Sequence, residues 1–311
     1  MIVKYRIISY VVLVSGLCLL LSTQLSARPF DELMASGYLR VAVYQDFPPY
    51  SFISEAGEAA GVDIEIAQHI ADQLDLQLEL FWMVPDEDLG DDLRNYLWRG
   101  HVLDHEHKHE RLSGKKVADL MLRVPYDRAF NYARGYIGQG VYAYQNDLIV
   151  MMAPYQQETW KLAHDRERLE QVRTLAVFQY HPVGVEMETV PAFMLTSAFN
   201  GNLRHQVKHF RSPRQTFEAM TTGEVAAMLG MRAEVEWLLQ QHGDDRYQIA
   251  ETTFPAMGKP HWDIGIAVRE ADRQLGYLVE GIIEPMVLNG KMAEIFSRYG
   301  LTYQKPAFHE F

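Results

Sequence analysis

The sequence predicts an α/β protein of two lobes, each built from a mostly parallel sheet flanked by helices. Three observations support this fold class. Apolar strand-like runs alternate with helical segments from residue 39 onward. The alternation forms two successive units, and the segments after residue 255 are predicted to return to the first unit. A chain of 311 residues is also long enough to bury a core in each lobe.

The first 27 residues have the order of a secretory signal peptide. Lys4 and Arg6 precede an apolar run over 7–21, and the small residues of 25–27 provide a cleavage site. The run is shorter than the roughly 20 residues that span a bilayer. We therefore expect a cleaved, periplasmic protein without a membrane segment. An uncleaved anchor helix and a lipid anchor at Cys18 are the alternatives.

Composition narrows the function classes. The chain has 41 acidic and 29 basic residues, a net charge of −12, and such a surface repels nucleic acid and anionic lipid. Cys18, the single cysteine, lies in the predicted signal peptide, so the exported chain has no thiol chemistry. We find no motif for nucleophilic catalysis or nucleotide binding. The sequence thus predicts a monomeric, non-catalytic protein without a cofactor.

The first lobe is predicted to carry a ligand-binding loop. A strand over 39–44 ends in a loop whose two prolines continue neither a strand nor a helix. Asp46, Phe47 and Tyr50 of this loop are candidate ligand contacts, and the alternative is that the rings pack the loop onto its own lobe. Asp63 is the predicted N-cap of the next helix. The further elements of this lobe are strands at 76–82 and 118–124 and a helix at 91–99.

The second lobe and the return segment follow the same alternation. Ser212 and Pro213 form an N-cap and a first helical position. The other predicted elements are strands at 148–152, 174–178, 207–210, 226–229 and 264–268, and helices at 157–172, 271–288 and 291–298. The predicted boundaries are the signal peptide at 1–27, lobe one at 28–146, lobe two at 147–255 and the return segment at 256–311.

Four motifs in order carry a resemblance to a known family. They read LRVAVYQDFPPYSF, GVDIEIAQHIADQLDLQLELF, SPRQTFEAMTTGEVAAMLG and DIGIAVREADRQLGYLVEGIIEPMVLNGKMAEIFSRYGL. This succession resembles the family 3 extracellular solute-binding proteins of bacterial uptake systems. The resemblance implies a periplasmic-binding-protein clamshell that holds a small-molecule ligand between its lobes, with the inner-membrane permease of an ABC-type transporter as partner.

The chain departs from that family where its amino-acid binders hold the ligand. The resemblance implies a threonine and an arginine that clamp the ligand carboxylate, and here Arg128 is the best positional match and Arg123 the second, without a threonine. It also implies an acidic residue for the ligand ammonium, but Ala226 and Met231 occupy these positions. A buried ammonium without a carboxylate is costly, so the ligand is predicted not to be a standard amino acid.

Three further residues are candidate ligand contacts. His181 lies where the resemblance implies a helix start that can hold an anion, although Pro182 hinders close approach. Trp262 and Asp263 precede the strand that returns to lobe one and are candidates for the mouth of the cleft. The alternative for Trp262 is burial in the core or the hinge.

The segment 101–110 is a candidate metal site. It holds four histidines and three carboxylates in ten residues, and these are ligands for zinc, copper or nickel. The candidate ligands are His101, His105, His107 and His109. The alternative is a solvated polar loop.

Three function classes remain open at this point, because fold alone does not choose among them. The first is solute capture for an ABC-type transporter. The second is an accessory role with a periplasmic quinoprotein (methanol or alcohol) dehydrogenase or its cytochrome partner, suggested by similarity of residues 120–125 to that branch. The third is a dehydratase-like enzyme on the same scaffold. A polar cleft favours the first, an apolar or blocked cleft the second, and paired titratable groups the third.

Overall fold

The two-lobed α/β fold is confirmed. The computed structural model describes residues 30–100, 116–126, 148–252 and 261–309. The strands are β1 (Tyr38–Tyr44), β2 (Phe52–Ile53), β3 (Ala59–Ala60), β4 (Gln77–Met83), β5 (Leu120–Pro125), β6 (Ile149–Asp165), β7 (Val183–Glu186), β8 (Val207–Phe210), β9 (Ala227–Met231), β10 (Tyr247–Ile249) and β11 (His261–Arg269). The helices are α1 (Phe30–Ser36), α2 (Val62–Gln73), α3 (Leu89–Leu93), α4 (Val190–Gly201), α5 (Pro213–Thr221), α6 (Arg232–His242), α7 (Arg273–Leu288) and α8 (Lys291–Arg298).

The sheet joins the two lobes. Its strand order is β4-β1-β5-β11-β6-β9-β7-β8, with β10 paired to β6. Strands β4, β1 and β5 are parallel, as are β9, β7 and β8, whereas β6 is antiparallel to β11, β9 and β10. Each lobe therefore has a parallel three-stranded part, and antiparallel strands connect the two parts.

Strand β6 crosses from one lobe to the other. Residues 149–159 pair with β11, and residues 160–164 pair with β9. We propose that the chain changes lobe near residues 159–160, inside this strand. The lobe boundaries at 28–146, 147–255 and 256–311 remain a prediction.

Two sequence predictions around β6 are wrong. The charged helix expected over 157–172 is a strand up to Asp165, because Glu158 is buried and bonded within the fold and does not lie on a solvated helix face. The strand expected over 174–178 is a single 3₁₀ turn, Leu175–Gln179, capped by the side chain of Thr174. Strong interactions outside each segment overrode its local pattern.

The N-cap of helix α2 lies two residues before the predicted one. Gly61 is the N-cap, and Asp63 lies in the first turn, where it is 1% exposed and bonded to Arg123. The carbonyl groups of Pro49 and Tyr50 accept hydrogen bonds from the first two helical N–H groups. The loop after β1 therefore caps α2. The carboxylate of Asp63 is not needed as a cap and pairs with Arg123 instead.

Each lobe has its own apolar core. The first core contains Leu39, Val41, Ile66, Ile70 and Phe296, and the second contains Leu162, Phe178, Val185, Leu195 and Leu229. Burial of such side chains stabilises a fold by about 25 cal/mol per Å² of apolar surface. Among the described residues, no helix has the length and apolar character needed to cross a membrane.

Candidate ligand-binding site

A cavity lies between the loop after β1 and the two helices α5 and α6. Its empty volume is about 490 Å³, including its open mouth. The loop contributes one wall, and α5 and α6 contribute the other. The lining residues are Asp46, Phe47, Pro48, Ser212, Pro213, Arg214, Glu234, Trp237 and Leu238. Residues at the N-terminus of α5 and within α6 thus face the loop that the sequence predicts to bind ligand.

A second compartment of about 340 Å³ adjoins the first and shares Pro213 and Glu234 with it. It lies beside the end of β9, and most of its walls are apolar or aromatic. The remaining lining residues are Trp160, Glu186, Thr189, Pro191, Thr216, Met228, Leu229, Gly230 and Met231. Ligand pockets are commonly apolar with a few fixed polar groups, and the two compartments have this character.

Glu234 occupies the boundary between the compartments. Its side chain is in the first turn of α6 and is 3% exposed. Burial raises the pKa of Glu234 well above its usual value, and the nearby carboxylates of Glu186 and Glu158 raise it further. The positive charge of Arg123 and a hydrogen bond from the backbone of Met231 oppose this rise. In the part of the chain that the structure describes, no cation forms an ion pair with this carboxylate.

Glu186, the last residue of β7, faces the second compartment. It is half-buried, and desolvation raises its pKa to about 7. Perturbed carboxyl groups of this kind cluster at functional sites, because such sites require groups whose protonation state can change near neutral pH. Glu186 and Glu234 are therefore the strongest candidates for ligand contacts.

A buried polar network lies behind the loop that forms one wall of the cavity. Arg123 donates from Nε to Asp63 Oδ2 over 2.7 Å and from Nη2 to Asp63 Oδ1 over 3.1 Å. The Tyr155 hydroxyl donates to Asp63 Oδ1 over 3.0 Å, and the Arg123 guanidinium lies 3.1 Å from the centre of the Tyr50 ring. Burial alone lowers the pKa of Arg123, but Asp63, Tyr155 and Tyr50 outweigh it and raise the pKa.

The network continues through Glu158 to α6. The Tyr50 hydroxyl donates to Glu158 Oε2 over 2.6 Å, and Gln156 Nε2 donates to the same oxygen over 2.9 Å. Arg232, 1% exposed, lies 3.6 Å from Glu158 and 3.0 Å from Glu236. Its guanidinium also donates to the backbone carbonyl of Thr302. Arg232 thereby fixes α6 to β6 and to the C-terminal segment.

The candidate residues of the first loop separate into two groups. Asp46 and Phe47 line the cavity. Tyr50 is fully buried and belongs to the network with Arg123 and Glu158, so its ring stacks on a protein guanidinium. The structure thus places two of the three side chains at the cavity wall.

Of the candidate clamp arginines and His181, the structure describes Arg123 and His181, and neither lines the two compartments. Arg123 is 7% exposed. Its guanidinium pairs with Asp63 and also donates to Gln156 Oε1 over 2.9 Å. Arg128 lies outside the described residues. His181 is half-buried in a bend before β7 and is not among the residues that line either compartment.

Trp262 and Asp263 lie at the junction of β11 and β6. The Trp262 ring packs against Trp160 at a centroid distance of 4.9 Å, and Trp160 lines the second compartment. Asp263 accepts hydrogen bonds from the backbone N–H groups of Ala307 and Phe308. Trp262 therefore packs against a residue of the cavity wall without lining the cavity itself. The Asp263 carboxylate holds the C-terminal segment in place through its two hydrogen bonds.

The predicted metal ligands His101, His105, His107 and His109 lie outside the described residues. Within the described ranges, no group of three or more histidine, cysteine, aspartate or glutamate side chains could hold a metal ion.

Sequence reasoning missed Glu186 and Glu234. It sought the acidic positions within strand β9, whereas the structure supplies carboxylates from the end of the neighbouring strand β7 and from the first turn of α6. The available signal was the position of Glu234 after a short apolar strand, because the carboxyl ends of parallel strands are where α/β proteins bind ligands.

Comparisons with known proteins agree with this architecture. Residues 39–93 match the model of the bacterial extracellular solute-binding proteins, family 3. The resemblance to that family is confirmed. A 64-residue stretch is 41% identical to a cyclohexadienyl dehydratase of Pseudomonas aeruginosa, and it covers 20% of this chain and 24% of that enzyme. The chain thus matches about a quarter of the length of this curated relative.

Solved structures share the fold across the chain. An ancestral cationic amino acid solute-binding protein, AncCDT-1, superposes with a TM-score of 0.61 at 16% identity, covering 86% of this chain and 98% of that one. The substrate-binding protein AbpA of Streptococcus pneumoniae, solved with L-arginine, gives 0.59 at 17% identity, with coverages of 87% and 98%. At these identities the likeness establishes the fold.

Proposed function

We propose that this protein captures a small polar solute in the cavity between its lobes and presents it to the inner-membrane permease of an ABC-type uptake system. The observation that carries the proposal is the cavity itself, which is walled by a first-lobe loop and by second-lobe helices with a buried carboxylate at its centre. The match to an extracellular solute-binding family supports a periplasmic location.

The identity of the solute has fewer constraints than the sequence suggested. Ala226 and Met231 stand where the family resemblance implies acidic residues for the ligand ammonium. Glu186 and Glu234 provide carboxylates beside the end of β9, so the argument against a standard amino acid loses its physical reason. The exclusion of standard amino acids remains an untested prediction.

Filling the cavity provides a direct test of solute capture. Leu238 lines the first compartment from α6 and is half-buried at the edge of a core cluster, so Leu238→Trp places a bulky ring at the cavity wall. We expect at least one solute from a panel of amino acids, amines, organic acids and sugars to raise the melting temperature of the natural protein, because a ligand that binds only the folded state stabilises it. In Leu238→Trp we expect binding at least ~10-fold weaker.

The matched control is Leu278→Trp, which changes an exposed leucine on α7 that lines neither compartment. This variant should bind the solute as the natural protein does. Equal binding by Leu238→Trp, or a panel in which no solute raises the melting temperature, would contradict solute capture in this cavity.

A dehydratase-like enzyme is the second candidate, and one observation favours it. Glu186 and Glu234 are two carboxyl groups with raised pKa at one cavity, a pattern suited to acid–base chemistry. The matched stretch of a cyclohexadienyl dehydratase adds to this. Loss of water from a hydroxylated cyclohexadiene gives an aromatic ring, so activity would appear as a rise in ultraviolet absorbance that Glu234→Gln abolishes. No absorbance change at micromolar enzyme would remove this candidate.

The accessory role beside a quinoprotein dehydrogenase remains a prediction. We expect an apolar or blocked cleft for that role, because the protein would then bind a partner and not a solute. The two carboxylates and the open mouth of the cavity favour solute capture.

A further inference from the structure

Glu234 is a buried carboxyl group that faces a cavity, and no cation of the described residues forms an ion pair with it. It is 3% exposed and lines both compartments. The neighbouring cations are engaged elsewhere, since Arg123 pairs with Asp63 and Arg232 pairs with Glu158 and Glu236. A charge held in this way is costly unless a partner neutralises it, and the cavity leaves that partner's place open to a ligand.

The surroundings of Glu234 are negative on several sides. Charged and titratable groups face it from the loop after β1, from β5, β6 and β7, and from the cavity walls. These groups are Tyr50, Arg123, Glu158, Glu186, Asp46 and Arg214. Arg214, the one cationic side chain among the lining residues, is exposed at the mouth. The interior of the cavity therefore presents carboxylates to a ligand and no cation from the described chain.

Aromatic rings complete this arrangement. Trp160 lines the compartment that contains Glu186, and Phe47 and Trp237 line the compartment on the other side of Glu234. The faces of aromatic rings attract organic cations, most strongly in a site from which water is excluded. Carboxylates and ring faces together select for positive charge on an apolar body.

Within the solute-capture function proposed above, we propose that the ligand is a small organic cation, an amine or a guanidinium, whose charge lies between Glu186 and Glu234. The apolar body of the ligand then lies against Trp160, Met228 and Leu229. These contacts use only the positive charge and the apolar body of the ligand.

Binding of the cation should release a proton. Glu186 has a pKa of about 7, so near neutral pH this group is partly protonated in the empty protein. The pKa of Glu234 is raised as well. A cation favours the charged carboxylates and lowers both pKa values. Affinity should therefore rise as the pH rises, by about tenfold per pH unit while one proton leaves for each cation bound.

The test uses n-butylammonium as cation, with n-butanol and butyrate as neutral and anionic compounds of similar shape. Tryptophan fluorescence reports binding, and calorimetry in buffers of different ionisation enthalpy counts the protons released. We expect butylammonium to bind better than the other two compounds, about one proton to be released near pH 6.5, and affinity to rise about tenfold from pH 5.5 to 6.5. The amine stays charged throughout, since its pKa is near 10.

Variants locate the charge. Glu186→Gln and Glu234→Gln should each weaken butylammonium binding at least ~10-fold and reduce the proton release. Glu188→Gln is the matched control, because Glu188 is exposed in the turn after β7 and lines neither compartment. It should bind as the natural protein does, and circular dichroism should show the same melting transition in all folded variants.

The outcomes separate this inference from the proposed function. Preferential binding of butyrate or butanol, pH-independent affinity, or unchanged binding by Glu186→Gln and Glu234→Gln would overturn the cation site and leave solute capture standing. A protein that binds no solute of the wider panel, with no difference on Leu238→Trp, would overturn both.

Discussion

Asp63→Asn is expected to lower the free energy of unfolding by about 3–5 kcal/mol, the usual cost of removing one partner of a buried ion pair. The Arg123 guanidinium is 7% exposed, and both its Nε and its Nη2 donate to the Asp63 carboxylate. The amide that replaces the carboxylate has no negative charge, and only one of its two polar atoms accepts a hydrogen bond. The guanidinium would remain buried because Tyr50 covers it at 3.1 Å. Urea unfolding monitored by circular dichroism measures the change.

The double variant Asp63→Asn with Arg123→Met separates charge from packing. If the loss comes from an uncompensated charge, the double variant should be more stable than Asp63→Asn alone. Glu294→Gln is the surface control, since its pair with Lys291 is exposed, and it should leave the unfolding midpoint unchanged. A double variant less stable than the single one would show that the pair contributes by packing and hydrogen bonding.

The network also explains why a good positional match for a ligand clamp does not lie at the cavity. Arg123 lies within the segment 122–128 in which the family resemblance implies the clamp, and it is the second positional match after Arg128. Its partner Asp63 is 60 residues earlier and its cover Tyr50 lies in another loop. A carboxylate already within the fold pairs with Arg123, and the side chain lines neither compartment. Such pairings depend on tertiary contacts that no local pattern reveals.

The elements that the sequence predicted well are those with strong local signals. Helix α8 begins and ends where the apolar period of 291–298 predicts. The Ser212 hydroxyl caps α5 by accepting a hydrogen bond from the Gln215 N–H, and Pro213 lies in the first turn. Strand β1 is apolar except for Arg40 and pairs in parallel with β4 on one side and β5 on the other, which is typical of a central parallel strand.

The predictions that failed, and the site residues that were missed, depend on contacts distant in sequence. Strand β6 contains Gln156, Glu158 and Lys161, a composition that suggests a solvated helix, but it lies between β11 and β9 and its polar groups are bonded internally. Glu234 becomes a candidate ligand contact only in the folded chain, where α6 places it at the cavity beside Glu186. Burial converts an ordinary glutamate into a candidate ligand contact, and burial follows from the assembled fold.

Gly61→Ala is the second substitution for which we expect a large loss, about 3–5 kcal/mol from strain and overpacking together. Gly61 has a φ of +123°, which L side chains rarely adopt. A Cβ at this position would lie 2.2 Å from the carbonyl oxygen of Tyr50 and 2.8 Å from the amide nitrogen of Ser51. Both contacts are with backbone atoms, so no rotamer change relieves them. Urea unfolding gives the magnitude.

The displaced loop should also lose its ligand. The Tyr50 carbonyl that the methyl group would push away accepts from the N–H of Asp63 and caps α2, and the same loop places Asp46 and Phe47 at the cavity. Gly243→Ala is the matched control, because Gly243 has a φ of +68° and open space around a Cβ, so only strain of about 1–2 kcal/mol remains. We expect Gly61→Ala to lose both stability and solute affinity, and Gly243→Ala to lose stability alone. Equal stability losses in the two variants would contradict the close approach at Gly61, because strain alone would then account for both.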